Sequence, residues 1–108
     1  MNLLIAQCSP QREPIAKVDE WLAQVPDWLP DPDKKLIGRR FGFDNFYQTM
    51  AFVNAVAEIA HAQDHHPEMM ISFDACTVSF TTHNVQGLTL NDFICAAQVS
   101  ALPEATAE

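Results

Sequence analysis

A chain of 108 residues, 48% of them hydrophobic, is long enough to bury one core without disulfide support, and its net charge of −8, from 14 acidic against 6 basic residues, repels phosphate backbones and anionic lipid. These properties argue against direct nucleic-acid binding, and the short apolar run in MNLLIAQCSP, which lacks a basic flank, falls far below the roughly 20 residues of a membrane span or a secretory leader. Cys8, Cys76 and Cys95 are odd in number and widely separated with no CxxC pair, which speaks against a disulfide framework or a thiolate zinc site and for a soluble, cytoplasmic protein.

One domain over residues 1–108 is expected, with its core at about residues 10–102. From Pro10 to Val25, apolar Ile15, Val18, Leu22 and Val25 recur at helical steps, with Ser9 placed to cap and Pro10 suited to the first turn. The following PDWLPDPDKK carries three prolines and cannot continue a helix, so it should cross the surface into a strand. Leu36 to Phe43 reads as that strand, with Phe41 and Phe43 on one face.

Asp44 or Asn45 can cap a second helix whose apolar stripe is Phe46, Met50, Val53, Ala57 and Ala60, ending where Pro67 disfavours helical geometry at His66. Beyond it, Ile71 and Phe73 alternate in one phase and Cys76, Val78 and Phe80 in the other, which predicts a hairpin turning at Asp74-Ala75, or a bulge. Thr89-Leu90-Asn91-Asp92 has the form of a capping box and opens a third helix with Leu90, Phe93, Ile94, Ala97 and Ala101 inward, before a frayed tail from Pro103. Three amphipathic helices and locally paired strands predict an α+β fold, an antiparallel four-stranded sheet with three helices packed on one face.

All four histidines, His61, His65, His66 and His83, fall in one stretch with carboxylates at Asp64, Glu68 and Asp92. Imidazole titrates nearest neutral pH, so the cluster points to proton transfer or metal binding. If the second helix runs through Asp64, His61 and His65 project from the same side, the spacing of zinc-binding helix pairs, with His66, His83 or Glu68 as further ligands. HAQDH nevertheless lacks the glutamate that directly follows the first histidine in HExxH. His83 closes a strand before a loop that could bring it opposite His65 and His66.

The run His61-x3-His65-His66-Pro67, followed by Phe73, His83 and Asp92, resembles the signature of the pterin-4a-carbinolamine dehydratases, as do Trp28 and Phe41-x-Phe43-x-x-Phe46 upstream. The resemblance covers roughly Trp28 to Val99. It implies a homodimer or homotetramer that removes water from 4a-hydroxytetrahydrobiopterin to give quinonoid dihydropterin, with the pterin as substrate and with neither metal nor other cofactor. It further implies His65, His66 and His83 as the catalytic set, His65 and His83 moving protons and His66 chiefly holding the pterin. His61, Asp64, Asp92, Trp28 and Pro67 would line or hold the substrate; a core-packing role for Trp28, and a capping role for Asp92, stay open on the residues themselves. The chain departs from the family pattern at His61, where Glu is more usual, at Met69, where Trp is, and at Asn91, where Arg is; the first is expected to change the charge beside the active pair. Relatives of this fold also serve as protein-binding or assembly factors, so a non-catalytic partner-binding role, or a histidine-rich metal-binding one, are the competing readings.

Overall fold

A computed structural model describes residues 1–10 and 13–106 of the chain. Its elements are α1 (Val18–Leu22), β1 (Leu29–Pro30), β2 (Ile37–Gly42), α2 (Phe46–Gln63), β3 (Glu68–Ser72), β4 (Ala75–Phe80) and α3 (Leu90–Ser100), with short 3-10 turns at His83–Val85 and Pro103–Thr106. The sheet is antiparallel in the order β1-β2-β4-β3, and with the three helices it gives the α+β architecture expected from the sequence.

Register decides which face is apolar. Ile37 and Phe41 of β2 lie opposite Phe80 and Cys76 of β4, and Ile71 of β3 lies opposite Cys76, so these side chains share one face. Ile37, Phe41, Cys76, Val78 and Phe80 are all buried there, beneath Phe52, Val53 and Val56 of α2 and Phe93, Ile94, Ala96 and Val99 of α3. The opposite face carries Gly38, Arg40, Thr77, Ser79, Glu68 and Met70, mostly small or polar and unable to recruit a second layer. An aromatic run knits the core: Trp28 meets Phe41 and Phe80 at centroid separations of 6.0 and 5.7 Å, and Phe52 packs on Phe41 and Phe43 at 4.5 and 5.2 Å.

Several local expectations shift. The predicted helix from Pro10 to Val25 is realised only as Val18–Leu22; Gln11 and Arg12 lie outside the described residues. Pro14 disfavours helical geometry at Glu13, and the amide of Ile15 donates to Leu88 O at 2.9 Å, so this stretch is tied to the α3 approach instead of coiling. PDWLPDPDKK crosses the surface but contributes Leu29–Pro30 as an edge strand. The α2 stripe is Thr49, Phe52, Val53, Val56 and Ala60, whereas Phe46 is 52% exposed and Ala57 is also exposed. The hairpin turns at Phe73-Asp74, one residue earlier than the pattern suggests, because Ser72 pairs with Ala75. Ala101 is exposed, and the segment after Pro103 forms a 3-10 turn in which Ala105 packs on the core; Ala107 and Glu108 lie outside the described residues.

The segment before α1 is held by side chains, not by a ladder. Gln63 of α2 and Gln98 of α3 donate to Ala6 O at 3.3 and 2.9 Å, Cys8 N–H donates to Gln63 Oε1 at 2.8 Å, and Asn91 brackets Ser9, accepting from its N–H at 2.9 Å and donating to its carbonyl at 2.8 Å. Asn91 is buried in this role.

Candidate functional site

The geometry of the histidine cluster begins at the end of α2. Gln63 is its last residue, and Asp64 turns the chain through the left-handed region at φ 50°, ψ 42°, a conformation that aspartate tolerates better than most residues. His65 N–H then returns to Ala60 O at 3.1 Å, closing the helix end, and His66-Pro67 runs extended into β3. The helix therefore stops before His65, and the same-side pairing of His61 with His65 does not form. His61 is exposed on the outer face of α2, in a groove with Asn54, Ala57, Glu58 and Ala62, so the substitution expected to change the surroundings of His65 and His66 lies apart from the cavity those two residues line.

His65 turns inward and is buried. Its ring stacks on Phe80 at 6.0 Å with planes 10° apart, and Nε2 lies 2.6 Å from Oδ1 of Asp92. Asp92 has no solvent exposure, a costly position for a carboxylate unless donors surround it. Oδ2 supplies that compensation, accepting from Thr82 Oγ1 at 2.8 Å and from the Thr89 N–H at 2.9 Å. Thr82 spends its only hydroxyl hydrogen on Asp92, so in the 2.8 Å contact between the two threonines Thr89 donates. Three donors converge on Asp92, and at about 1.5–3 kcal/mol for each hydrogen bond to a charged group they offset several kcal/mol of desolvation.

This network fixes the histidine. A carboxylate accepts, so Nε2 carries the proton and the neutral ring presents Nδ1 as an acceptor. Nδ1 has no hydrogen-bond partner among the described residues, and no buried side-chain nitrogen there is left unsatisfied, so Nδ1 reaches the open side of the ring. That side is a cavity of about 180 Å³ lined by Asp64, His65, His66, Thr81, Thr82, His83 and Asn84. His83 stands at the start of its 3-10 turn, exposed, in a loop closed by Thr82 N–H donating to Gly87 O at 2.9 Å.

Of the residues singled out from sequence, His65, His66, His83 and Asp64 line the cavity and Asp92 supports it from beneath. Trp28 is not brought there. It is 2% exposed, with Nε1 donating to Ser100 at 2.8 Å, and touches the site only through Phe80, which stacks on His65; packing is its role in this geometry. Pro67 does not line the cavity either, but disfavours helical geometry at His66 and leads the chain into β3. Thr82, Thr89 and Phe80 were not identified from sequence as parts of the site. The capping box hinted at Thr89, whereas Thr82 and Phe80 needed the strand register.

Larger cavities exist without this chemistry. One of about 720 Å³ between the N-terminal segment, Trp28 and α3 has Asp27 as its only ionisable side chain. Ligand pockets usually run to about 300–1,000 Å³, so volume would favour it, yet among the described residues three imidazoles meet at the smaller cavity, whereas the groove of about 700 Å³ on α2 has His61 alone. Among the described residues no three histidine, cysteine or acidic side chains are grouped to hold a metal ion.

Comparison with known proteins agrees with the motif. The family model described as pterin 4 alpha carbinolamine dehydratase matches residues 12–102. Among relatives carrying the pterin-4-alpha-carbinolamine dehydratase name, a protein of Xylella fastidiosa (strain 9a5c) is 44% identical over 109 residues, covering 96% of this chain and 94% of its own. Another, from Stenotrophomonas maltophilia (strain R551-3), is 52% identical over 89 residues, covering 82% and 77%. Of solved structures, a transcriptional coactivator/pterin dehydratase from Brucella melitensis superposes with a TM-score of 0.77 at 26% identity, over 82% of this chain and 97% of that one. A pterin dehydratase-like protein identified as a RuBisCO assembly factor shares the fold, with a TM-score of 0.63 at 20% identity over 76% of this chain and 93% of its own.

Proposed function

The chain belongs to the pterin-4-alpha-carbinolamine dehydratase family, and from that premise we propose that it removes water from a 4a-hydroxytetrahydropterin by histidine acid-base catalysis. The observation that carries this reading is His65, anchored on buried Asp92 through Nε2 and open at Nδ1 to a cavity shared with His66 and His83.

Dehydration breaks the C4a–O bond and the N5–H bond and forms the C4a=N5 double bond and one water. The departing hydroxyl needs a proton and N5 must lose one. In this proposal His65 and His83 carry out these two transfers and His66 holds the pterin ring, while Asp64 borders the cavity and Asp92 keeps His65 in its working tautomer. Each well-placed acid or base contributes about 10²- to 10⁴-fold, so two suffice for a reaction that already proceeds slowly unaided.

The proposed setting is a homo-oligomer in the cytoplasm. Strand β3 is a sheet edge, and Met70 at 78%, Ile71 at 43% and nearby Phe73 at 67% exposure make it apolar, a surface suited to pairing with a second copy. No disulfide joins the three cysteines, as in a reducing compartment, and no described helix is long and apolar enough to cross a membrane.

The test is stopped-flow absorbance of 4a-hydroxytetrahydropterin decay, with wild type and His65→Ala, over about pH 6 to 8. Acceleration by wild type that disappears in the variant supports the proposal. No acceleration at any pH overturns it and leaves a partner-binding relative as the reading.

A further inference from the structure

The three cysteines, unremarkable in the sequence, are not equivalent in space. Cys8 and Cys95 stand 87 positions apart, yet their sulfurs approach to 3.6 Å, while Cys76 is buried on β4. We infer that Cys8 and Cys95 form a reversible intramolecular disulfide, a modification site that ties the N-terminal segment to α3 when a low-molecular-weight disulfide such as oxidised glutathione accumulates.

The proximity is built from both sides. Cys8 N–H is held by Gln63, the backbone of Ser9 is bracketed by Asn91, and Ala6 O accepts from both Gln63 and Gln98. The Cys8 thiol also lies 3.7 Å from Asn91 O, one turn before Cys95 on α3. A disulfide spans about 2.05 Å, so the sulfurs must close by about 1.5 Å, a change within reach of side-chain rotation plus a small shift in an irregular segment.

Exposure sets the order of events. Cys95 has no solvent exposure, and its hydrogen bond with Cys8 together with burial pushes its thiol up, so it is shielded from reagents and is not the first to react. Cys8 is half-buried and meets the oxidant first. Its thiolate attacks one sulfur of glutathione disulfide, breaking that S–S bond and releasing one glutathione thiol. The Cys95 sulfur, on losing its proton, then attacks the Cys8 sulfur of the mixed disulfide and releases the second glutathione thiol. Two protein thiols are oxidised, one glutathione disulfide is reduced to two thiols, and the two protons leave with them. The closed loop takes in most of the chain, so the bond stabilises the fold, and it anchors α3 three residues beyond Asp92.

The experiment treats the native full chain with oxidised glutathione and follows intact mass, a peptide map under non-reducing conditions, and the thermal midpoint. Expected are the loss of two hydrogens, a Cys8–Cys95 linked peptide, reversal by dithiothreitol, and a midpoint raised by about 5 °C or more. Cys8→Ser should show none of these, and Cys95→Ala should stop at a glutathione adduct on Cys8. A wild-type adduct that never resolves, or linkage through Cys76 or between chains, overturns the inference.

Discussion

Asp92 holds His65 from below the cavity at 2.6 Å while its other oxygen gathers Thr82 and Thr89, so one buried carboxylate both caps α3 and orients the imidazole. The two roles can be separated by mutation.

In Asp92→Asn, the amide oxygen still accepts from Thr82 and Thr89 but its NH2 faces His65 and forces the ring proton onto Nδ1. The fold should survive at a cost of about 1–2 kcal/mol, because the cap is retained. Turnover should fall about 10²-fold or more, because the cavity then meets a donor where it needs an acceptor. Urea denaturation and stopped-flow kinetics on the same preparation separate the two effects; unchanged turnover would remove Asp92 from the proposed mechanism.

His83 is exposed on a 3-10 turn and makes no side-chain hydrogen bond among the described residues, so His83→Ala should change stability by no more than about 0.5 kcal/mol. Dehydration should nonetheless slow by about 10²- to 10⁴-fold. A variant with full activity would show that His83 moves no proton.

An apolar edge strand invites pairing, and charge on both of its faces discourages it. Met70→Lys combined with Ile71→Lys should convert the proposed oligomer to a monomer in sedimentation velocity, weakening association by about 100-fold or more. Wild type that sediments as a monomer at every concentration would rule out self-association through β3.

Burial pushes the Cys76 thiol from 9.0 up to about 11. The folded state therefore resists ionisation that the unfolded chain undergoes freely, so the contribution is fully present below pH 9 and lost as pH rises toward about 11. The urea midpoint of wild type should decline across that window by an amount worth at most about 3 kcal/mol, and that of Cys76→Ala should decline less. Parallel declines would assign the alkaline loss to other groups.

How much of this was legible follows from where each signal lives. The capping box of α3 and the alternation of Cys76, Val78 and Phe80 are local, and both appear as read. For helix α2 the expected stripe is right at Val53 and Ala60 and partly right at Met50, but Phe46 and Ala57 look as apolar as Phe52 and Val56, and only the sheet beneath chooses between them. The hairpin turn was misplaced by one residue because exposed Phe73 imitates a strand residue. The histidine cluster was visible, but its division was not. One residue of left-handed backbone sends His65 inward and leaves His61 on the far side of the helix, and the threonines around Asp92 come together only through pairing across the sheet.

That left-handed residue has a wider consequence. Asp64 lines the cavity, yet its backbone does as much as its carboxylate, since a twist of the less common hand at this single position decides where both following imidazoles aim. Glycine or asparagine can adopt that hand, whereas valine or isoleucine would force the chain back and misdirect His65 and His66 while leaving the core intact. Variation at position 64 is thus restricted by chirality as well as by reactivity, and aim would be lost there well before folding is.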